Sequence, residues 1–232
     1  MSAPTAAPAL IGSAKHVAII TDGNGRWASA RQLSIQDGHD AGADTLKARL
    51  RDAVELGVEQ LTVYSFSTEN WSRPAEEVRG LISVIAKRIE KETPELHRHS
   101  VRMRFIGRRE GVASELVEVM ERAEALTAEN RLITLFVAVN YGGRAEIVDA
   151  ARRLNPGSEE DRFRGCLYAP DMHDPDLIIR TGGERRLSNF LLWQAAYSEL
   201  VFSDELWPDF TRRHLEEALA EFSARRRRFG GR

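Results

Sequence analysis

The 232-residue chain carries a formal net charge of −2, with 42% hydrophobic and 29% charged residues, the balance of a soluble globular protein. That total charge gives no general pull toward nucleic acid or another polyanion. A single cysteine, Cys166, excludes an internal disulfide and suits a reducing, cytoplasmic setting; no apolar run approaches the length of a membrane span, which leaves only peripheral membrane contact open.

Residues 1–14 are rich in Ala and Pro and lack a basic start before an apolar core. They read as a disordered lead-in and not as a signal peptide, ahead of one domain over 15–232. The first strand falls at 16–21. A helix follows over 38–56, with Ala43, Leu46, Leu50 and Val54 as its stripe and Gly57 as its stop. A second strand covers 60–66. Pro74 suits a helix first turn, and Glu76 and Glu77 suit the positive end of its dipole. That helix carries Val78, Ile82, Ile85 and Ile89 on one face, and Pro94 is expected to kink or end it. Residues 101–106 alternate apolar and basic side chains as a strand. A helix over 112–130 has Leu116, Val119, Ala123 and Leu126 as its stripe. The near-continuous apolar run 132–140 reads as a central strand. A helix at 145–154 precedes a polar stretch, 155–175, punctuated by Pro and Gly and expected to be a mobile connection. A strand at 176–180, a short helix at 188–194, a strand at 199–203 and a terminal helix at 211–227, capped by Thr211, complete the chain. The alternation predicts a single α/β domain with a mostly parallel central sheet flanked by helices.

Three strands end in a turn of the same kind. Asp22-Gly23-Asn24-Gly25-Arg26, Arg180-Thr181-Gly182-Gly183 and Asn140-Tyr141-Gly142-Gly143-Arg144 each pair glycine with arginine at a strand end. Glycine lets the backbone approach a ligand closely, a helix N-terminus favours an anion, and arginine matches phosphate oxygens. In a parallel sheet all three turns would share one rim, where α/β proteins bind ligands. Asp22 would repel a phosphate there unless a divalent cation lay between them. The pattern points to one or two phosphate-bearing substrates and a metal. No G-x-x-x-x-G-K-[ST] run is present. Residues 23–28 match G-x-G-x-x-A, but the acid of a dinucleotide site would then fall at Asp40 or Asp44, inside a predicted helix.

The strings HVAIITDGNGRWA at 16–28 and YSFSTENWSRP at 64–74, with the run from Asp176 through Asn189 to Phe202, resemble the signatures of the cis-prenyltransferase (undecaprenyl diphosphate synthase) family. The likeness extends in order from Lys15 to Gly231. The resemblance implies a homodimer that condenses isopentenyl diphosphate with an allylic diphosphate, forming Z double bonds, with Mg²⁺ as cofactor. It implies that Asp22 and Glu199 are the Mg²⁺-associated acids and that Asp22 and Asn70 are catalytic, Asn70 orienting the reacting groups or assisting proton removal with Ser67 beside it. Gly23, Asn24, Gly25 and Arg26 would cradle the allylic diphosphate, with His39 nearby. Arg180, Arg186 and Ser188 would hold isopentenyl diphosphate. Trp27, Phe66 and Trp71 would flank the first isoprene units, and Thr68, Glu69 and Arg73 join them as substrate-binding candidates. The helix from Val78 to Ile89 would wall an apolar tunnel for the product.

The same residues admit plainer roles. Asp22 could be a helix cap, Arg180 and Arg186 surface ion-pair partners, Glu69 and Asn70 turn formers. Two positions depart from the family pattern. Thr21 stands where Met usually precedes the acid, and Ile35 stands where an arginine usually reaches the allylic diphosphate. Arg31, four residues earlier, is a candidate to compensate. The small Ser65 and the lack of an insertion after Val78 fit a medium-chain product, with farnesyl diphosphate as the expected primer. The alternatives are a short-chain or irregular (allylic plus allylic) coupling enzyme, and a non-catalytic partner subunit of the same fold. Against the last, the Asp22 to Arg26 loop is intact.

Overall fold

A computed structural model describes residues 14–155 and 159–225. Six strands form one sheet: β1 (His16–Ile20), β2 (Gln60–Ser67), β3 (Val101–Ile106), β4 (Ile133–Tyr141), β5 (Leu177–Arg180) and β6 (Glu199–Phe202). Their order is β3-β4-β2-β1-β5-β6, and every pairing is parallel. The helices are α1 (Asn24–Ala30), α2 (Ile35–Glu55), α3 (Ala75–Arg98), α4 (Ser114–Thr127), α5 (Gly143–Arg152), α6 (Glu160–Arg164) and α7 (Arg212–Ala224).

The pleat explains why the strands are apolar throughout. Successive side chains point to opposite faces, and both faces are covered. Val17, Ile19, Leu61 and Val63 join one core with Leu50, Leu81, Leu116 and Leu215 from the helices. Ala18 and Ile20 join the other with Phe136, Ala138, Met172 and Phe190. The strand order reverses at β1: the chain passes to β2, then to β3 at the edge, then back to β4 between those two, and finally crosses to β5 and β6 on the other side of β1. A crevice at the carboxyl ends of strands on either side of such a reversal is where open α/β sheets bind ligands. Asp22 follows β1 and Arg180 ends β5, so this point carries two of the sequence candidates.

Several expectations need correction. The strand at 133–141 is interior but not central; β1 and β2 occupy the middle. Helix α2 starts at Ile35, three residues early, because Ser34 and Asp37 form a capping box. Helix α3 runs through Pro94 to Arg98, with Ile89 and Thr93 buried against the core; packing outweighs the hydrogen bond that proline forgoes. Residues 188–194 are not a helix. Ser188, Asn189 and Leu191 have φ of 47°, 66° and 44°, while Phe190 and Leu191 are fully buried. Residues 159–175 are packed in place: α6 lies here, and Leu167, Ala169 and Met172 are buried. Ala14, assigned to the lead-in, is fully buried in the core. Residues 1–13, 156–158 and 226–232 lie outside the described residues.

Candidate active site

The carboxyl ends of β1 and β5 are tied by side chains. Arg180 Nη2 donates to Asp22 Oδ2 at 2.9 Å, and Arg26 Nη2 donates to Asp22 Oδ1 at 3.2 Å. Thr181 locks the backbones together: its hydroxyl accepts from the Asp22 N–H at 3.0 Å and donates to the Asp22 carbonyl at 2.8 Å. Gly23 precedes α1 with φ of 115°, and a Cβ there would lie 2.8 Å from Leu206. Only glycine turns the chain so sharply against a neighbour. The turn leaves the first N–H groups of α1 open at the rim beside Arg26.

Arg180 reaches the next loop as well. Its Nη1 donates to Ser188 Oγ at 2.6 Å and to the Arg186 carbonyl at 2.5 Å, and Arg186 Nε donates to Ser188 Oγ at 3.2 Å. Two guanidinium groups thus converge on one hydroxyl. The Arg180 side chain is 5% exposed, and its Nε is buried without a partner among the described residues. Arg186 is largely exposed and pairs with Glu184. The left-handed residues of 188–191 are held from the third glycine turn: Gly143 N donates to the Asn189 carbonyl at 2.7 Å and Arg144 N to Asn189 Oδ1 at 2.8 Å. All three Gly/Arg turns therefore share one rim.

The segment after β2 borders the same rim. Asn189 Nδ2 donates to Glu69 Oε1 at 2.7 Å. Burial pushes the Glu69 carboxyl up, but hydrogen bonds led by that of Asn189 hold it below its ordinary range. Thr68 Oγ1 lies beside Gly142. Asn70 Oδ1 accepts from Ser67 N–H at 2.9 Å, which makes it a turn former whatever else it does. Trp71 Nε1 donates to Asn140 Oδ1 at 2.7 Å. Arg73 pairs with Glu77 at 2.9 Å. Burial, and then the nearby Arg73 charge, lowers the His39 imidazolium from its ordinary range.

Beneath the rim an apolar cavity of about 990 Å³, counting its open side, runs between the sheet and helices α2 and α3. Thr21, Asn24, His39 and Ser65 line its mouth; Leu81, Ile85 and Ile89 of α3 form one wall. Ser65 follows Val63 at the two-residue period of β2, so both face the cavity, and the β2–β4 register is irregular between Tyr64 and Phe66. Asn24 Oδ1 is buried there with no partner among the described residues.

Some candidates lie elsewhere. Glu199 opens β6, level with Leu177 and hence with Val17. Asp22 is five residues further along, about 16 Å in strand rise. Glu199 pairs instead with Arg225 at 2.6 Å, so one chain does not bring the two acids together. Phe66 is buried in the core. Trp27, Phe66 and Trp71 are not among the residues lining the cavity; Trp207 is. Trp27 Nε1 donates to Asp209 at 2.8 Å. Arg31 pairs with Asp209 at 3.1 Å and stacks 4.3 Å from the Trp27 ring, so it does not substitute at Ile35. Thr181, Asn189 and Trp207 were missed because nothing in their spacing marks them; only contacts remote in sequence reveal their roles.

Residues 20–230 match the protein family described as "Putative undecaprenyl diphosphate synthase". The chain is 50% identical over 226 residues to isoprenyl transferase 2 of Bradyrhizobium diazoefficiens, covering 93% of this chain and 90% of that protein. It is 49% identical to the isoprenyl transferase of Thermotoga maritima, covering 94% and 97%. Among solved structures, lavandulyl diphosphate synthase from Lavandula x intermedia in complex with dimethylallyl diphosphate superposes with a TM-score of 0.90 at 34% identity, covering 94% of this chain and 99% of that one. A probable undecaprenyl diphosphate synthase from Campylobacter jejuni superposes with a TM-score of 0.82 at 30% identity, covering 95% and 100%. An all-parallel sheet whose reversal point carries an acid and converging arginines above an apolar cavity, together with this identity over nearly the whole chain, makes the protein a member of the undecaprenyl diphosphate synthase family of prenyltransferases.

Proposed function

We propose that the protein condenses isopentenyl diphosphate with an allylic diphosphate, farnesyl diphosphate as primer, to give a medium-chain Z-polyprenyl diphosphate in a Mg²⁺-dependent reaction. The observation that carries this reading is the convergence of Asp22, Arg26, Arg180, Arg186 and Ser188 on one rim above an apolar cavity. Anionic heads suit the rim and a growing hydrocarbon suits the cavity.

Among the described residues no group of three His, Cys, Asp or Glu side chains could hold a metal by itself. Mg²⁺ commonly binds through one or two carboxylates plus substrate phosphates and water. Asp22, about one-third exposed, fits such an ion arriving with a diphosphate; Glu199 within the same chain does not. The bound ion would supply charge neutralisation for a departing diphosphate. In this reading Arg26 and the first turn of α1 hold the allylic diphosphate and stabilise the charge that develops as its C–O bond breaks. Arg180 and Arg186, fixed through Ser188, hold the isopentenyl diphosphate by paired N–H contacts. Asn70 orients the reacting groups or assists proton removal. His39 and Asn24 stand at the cavity mouth, where the first isoprene unit enters.

Incubation with labelled isopentenyl diphosphate, Mg²⁺ and an allylic primer tests the reading, with product mass as readout. No extension of dimethylallyl, geranyl or farnesyl diphosphate rejects it. Ile35 and the likeness to lavandulyl diphosphate synthase favour one second reading, irregular coupling of two allylic diphosphates; product from dimethylallyl diphosphate alone would establish it. Assembly as a homodimer, cytoplasmic location and peripheral membrane contact during product release complete the proposal. No helix among the described residues is long and apolar enough to cross a membrane.

A further inference from the structure

The turn after β2, Thr68–Ser72, is tied to the rest of the fold on both sides of Asn70. Glu69 Oε1 accepts from Asn189 Nδ2 at 2.7 Å, and Trp71 Nε1 donates to Asn140 Oδ1 at 2.7 Å. The first tie is exposed. The second reaches inward, since Asn140 is 5% exposed near the end of β4. Trp71 itself is 40% exposed and meets Phe66 edge-on at 5.1 Å. The indole N–H bond therefore anchors a ring that lies partly at the surface.

Asn140 has φ of 50°, left-handed backbone that glycine adopts without penalty and asparagine with little. Glycine stands two and three residues later, at Gly142 and Gly143, yet at 140 the chain keeps a side chain, and it engages both donors and the acceptor. Nδ2 donates to the Arg108 and Glu110 carbonyls, each at 3.1 Å, while Oδ1 accepts from Trp71. The two carbonyls fix the orientation of the amide. Turned over, Oδ1 would face two acceptors and the N–H₂ would face the indole donor. The loop between β3 and α4 thus aims Oδ1 at Trp71. That loop is itself pinned, because Arg108 pairs with Asp149 of α5 at 2.7 Å. A backbone requirement alone would be met by glycine. What asparagine adds is these three bonds, and one of them ends on the turn that carries Asn70.

We infer that Asn140 is a positioning residue for the condensation. Through the Trp71 indole it holds the Thr68–Ser72 turn in place at the rim, and with it Asn70, which orients the reacting groups or assists proton removal. The inference rests on the elongation reading above. In that reading the diphosphates are held elsewhere, by the Arg26 turn and by Arg180 and Arg186. Loss of the tie therefore acts on the rate at which bound substrates react and not on their capture.

The test is a cycle of Asn140→Gly, Trp71→Phe and the double variant. Asn140→Gly keeps the left-handed backbone and removes the side chain; Trp71→Phe removes the indole N–H from the exposed side. Expected for each single variant is a kcat lower by about tenfold to 10²-fold, the effect of a displaced group near the chemistry, with the KM for farnesyl and isopentenyl diphosphates within about twofold. The double variant is no slower than the slower single one, because both changes break one bond. Acrylamide quenching of emission supplies a readout independent of turnover, Trp71 being one of four tryptophans. Asn140→Gly raises quenching over the parent, and the same change made in the Trp71→Phe background does not. Parent-like kcat in folded Asn140→Gly overturns the inference, as do losses that multiply in the double variant or equal quenching in parent and Asn140→Gly. Parent-like kcat in Trp71→Phe overturns it even where Asn140→Gly fails to fold. A parent that extends no primer overturns the elongation reading and the positioning role with it, a failure told apart because the parent itself is then inactive.

Discussion

Arg180 and Asp22 form an ion pair of 2.9 Å across the point where the strand order reverses. The arginine side chain is 5% exposed and the aspartate 31%, so the acid has two tasks. It is the counter-ion that makes a nearly buried guanidinium tolerable, and in the proposed reaction it is the carboxylate that meets a metal–diphosphate. Asp22→Ala removes both. Leaving a buried charge unpaired typically costs about 3–5 kcal/mol, so the melting temperature falls along with activity. Asp22→Asn keeps an acceptor for Arg180 and restores most of the stability, yet kcat stays down by about 10²–10³, the usual effect of losing one transition-state contact. Thermal unfolding and steady-state kinetics on both variants separate the two tasks; a parent-like kcat in Asp22→Asn refutes the catalytic one.

Ile35 is half exposed at the first turn of α2, next to Ser34 and on the same rim as Arg26. Arg31 cannot stand in for the missing cation, because Asp209 and the Trp27 ring hold it. Ile35→Arg therefore adds a charge-assisted contact worth about 1.5–3 kcal/mol and lowers the KM for farnesyl diphosphate by about tenfold or more. Arg31→Ala leaves that KM within about twofold and lowers stability instead, in line with lost surface pairing. A rise or no change in KM for Ile35→Arg contradicts the assignment.

Much of this arrangement is legible in the chain because parallel sheets impose few choices. Apolar runs buried on both faces, separated by amphipathic helices, admit little besides an α/β sheet, and strands that end in Gly/Arg turns must then share a rim. What escaped is set by contacts remote in sequence. Phe190-Leu191-Leu192-Trp193 reads as a helix turn by hydropathy, but Arg180 beneath and Gly143 beside it hold Ser188, Asn189 and Leu191 in left-handed backbone. Glu199 follows the rim loop closely in sequence, yet β6 must start at the opposite end of the sheet to run parallel to β5, and that carries the acid away from Asp22. The early start of α2 was in plain view: Ser34 and Asp37 have capping-box spacing.

Gly182 bears on the geometry of the pair. Its φ is 83°, its N–H donates to the Glu205 carbonyl at 2.7 Å, and a Cβ would lie 2.5 Å from Arg26 Nη2 and 3.1 Å from the Asp22 carbonyl. Gly182→Ala incurs about 1–2 kcal/mol for left-handed backbone and pushes Arg26 off the Asp22 carboxylate. The expected result is a modest loss in unfolding free energy with a larger loss in kcat/KM for the allylic substrate. Loss of stability with unaltered kcat/KM would show that Arg26 does not serve that substrate.

His16, at the other end of β1, makes folding pH-dependent. Its Nδ1 lies 2.6 Å from the His173 carbonyl and must donate, so Nε2 accepts from the Thr62 hydroxyl at 2.7 Å. Burial lowers its pKa from 6.5 to about 4, against the opposing pull of the His173 carbonyl and Asp176. The folded protein thus prefers the neutral ring. The contribution to stability is complete above pH 6.5 and is lost as pH falls from there toward 4, roughly 3 kcal/mol over the window at 1.36 kcal/mol per pKa unit. His16→Gln is less stable than the parent at pH 7.5, since the ring's packing and its two hydrogen bonds are replaced by a poorer fit, but it lacks this titration. Urea unfolding at pH 7.5 and 4.5 should show the gap between parent and variant narrowing with acid. A gap of equal size at both pH values would mean that His16 stays neutral in the unfolded chain as well or takes up its proton without opening the β1–β2 contact, and the linkage argued here would not hold.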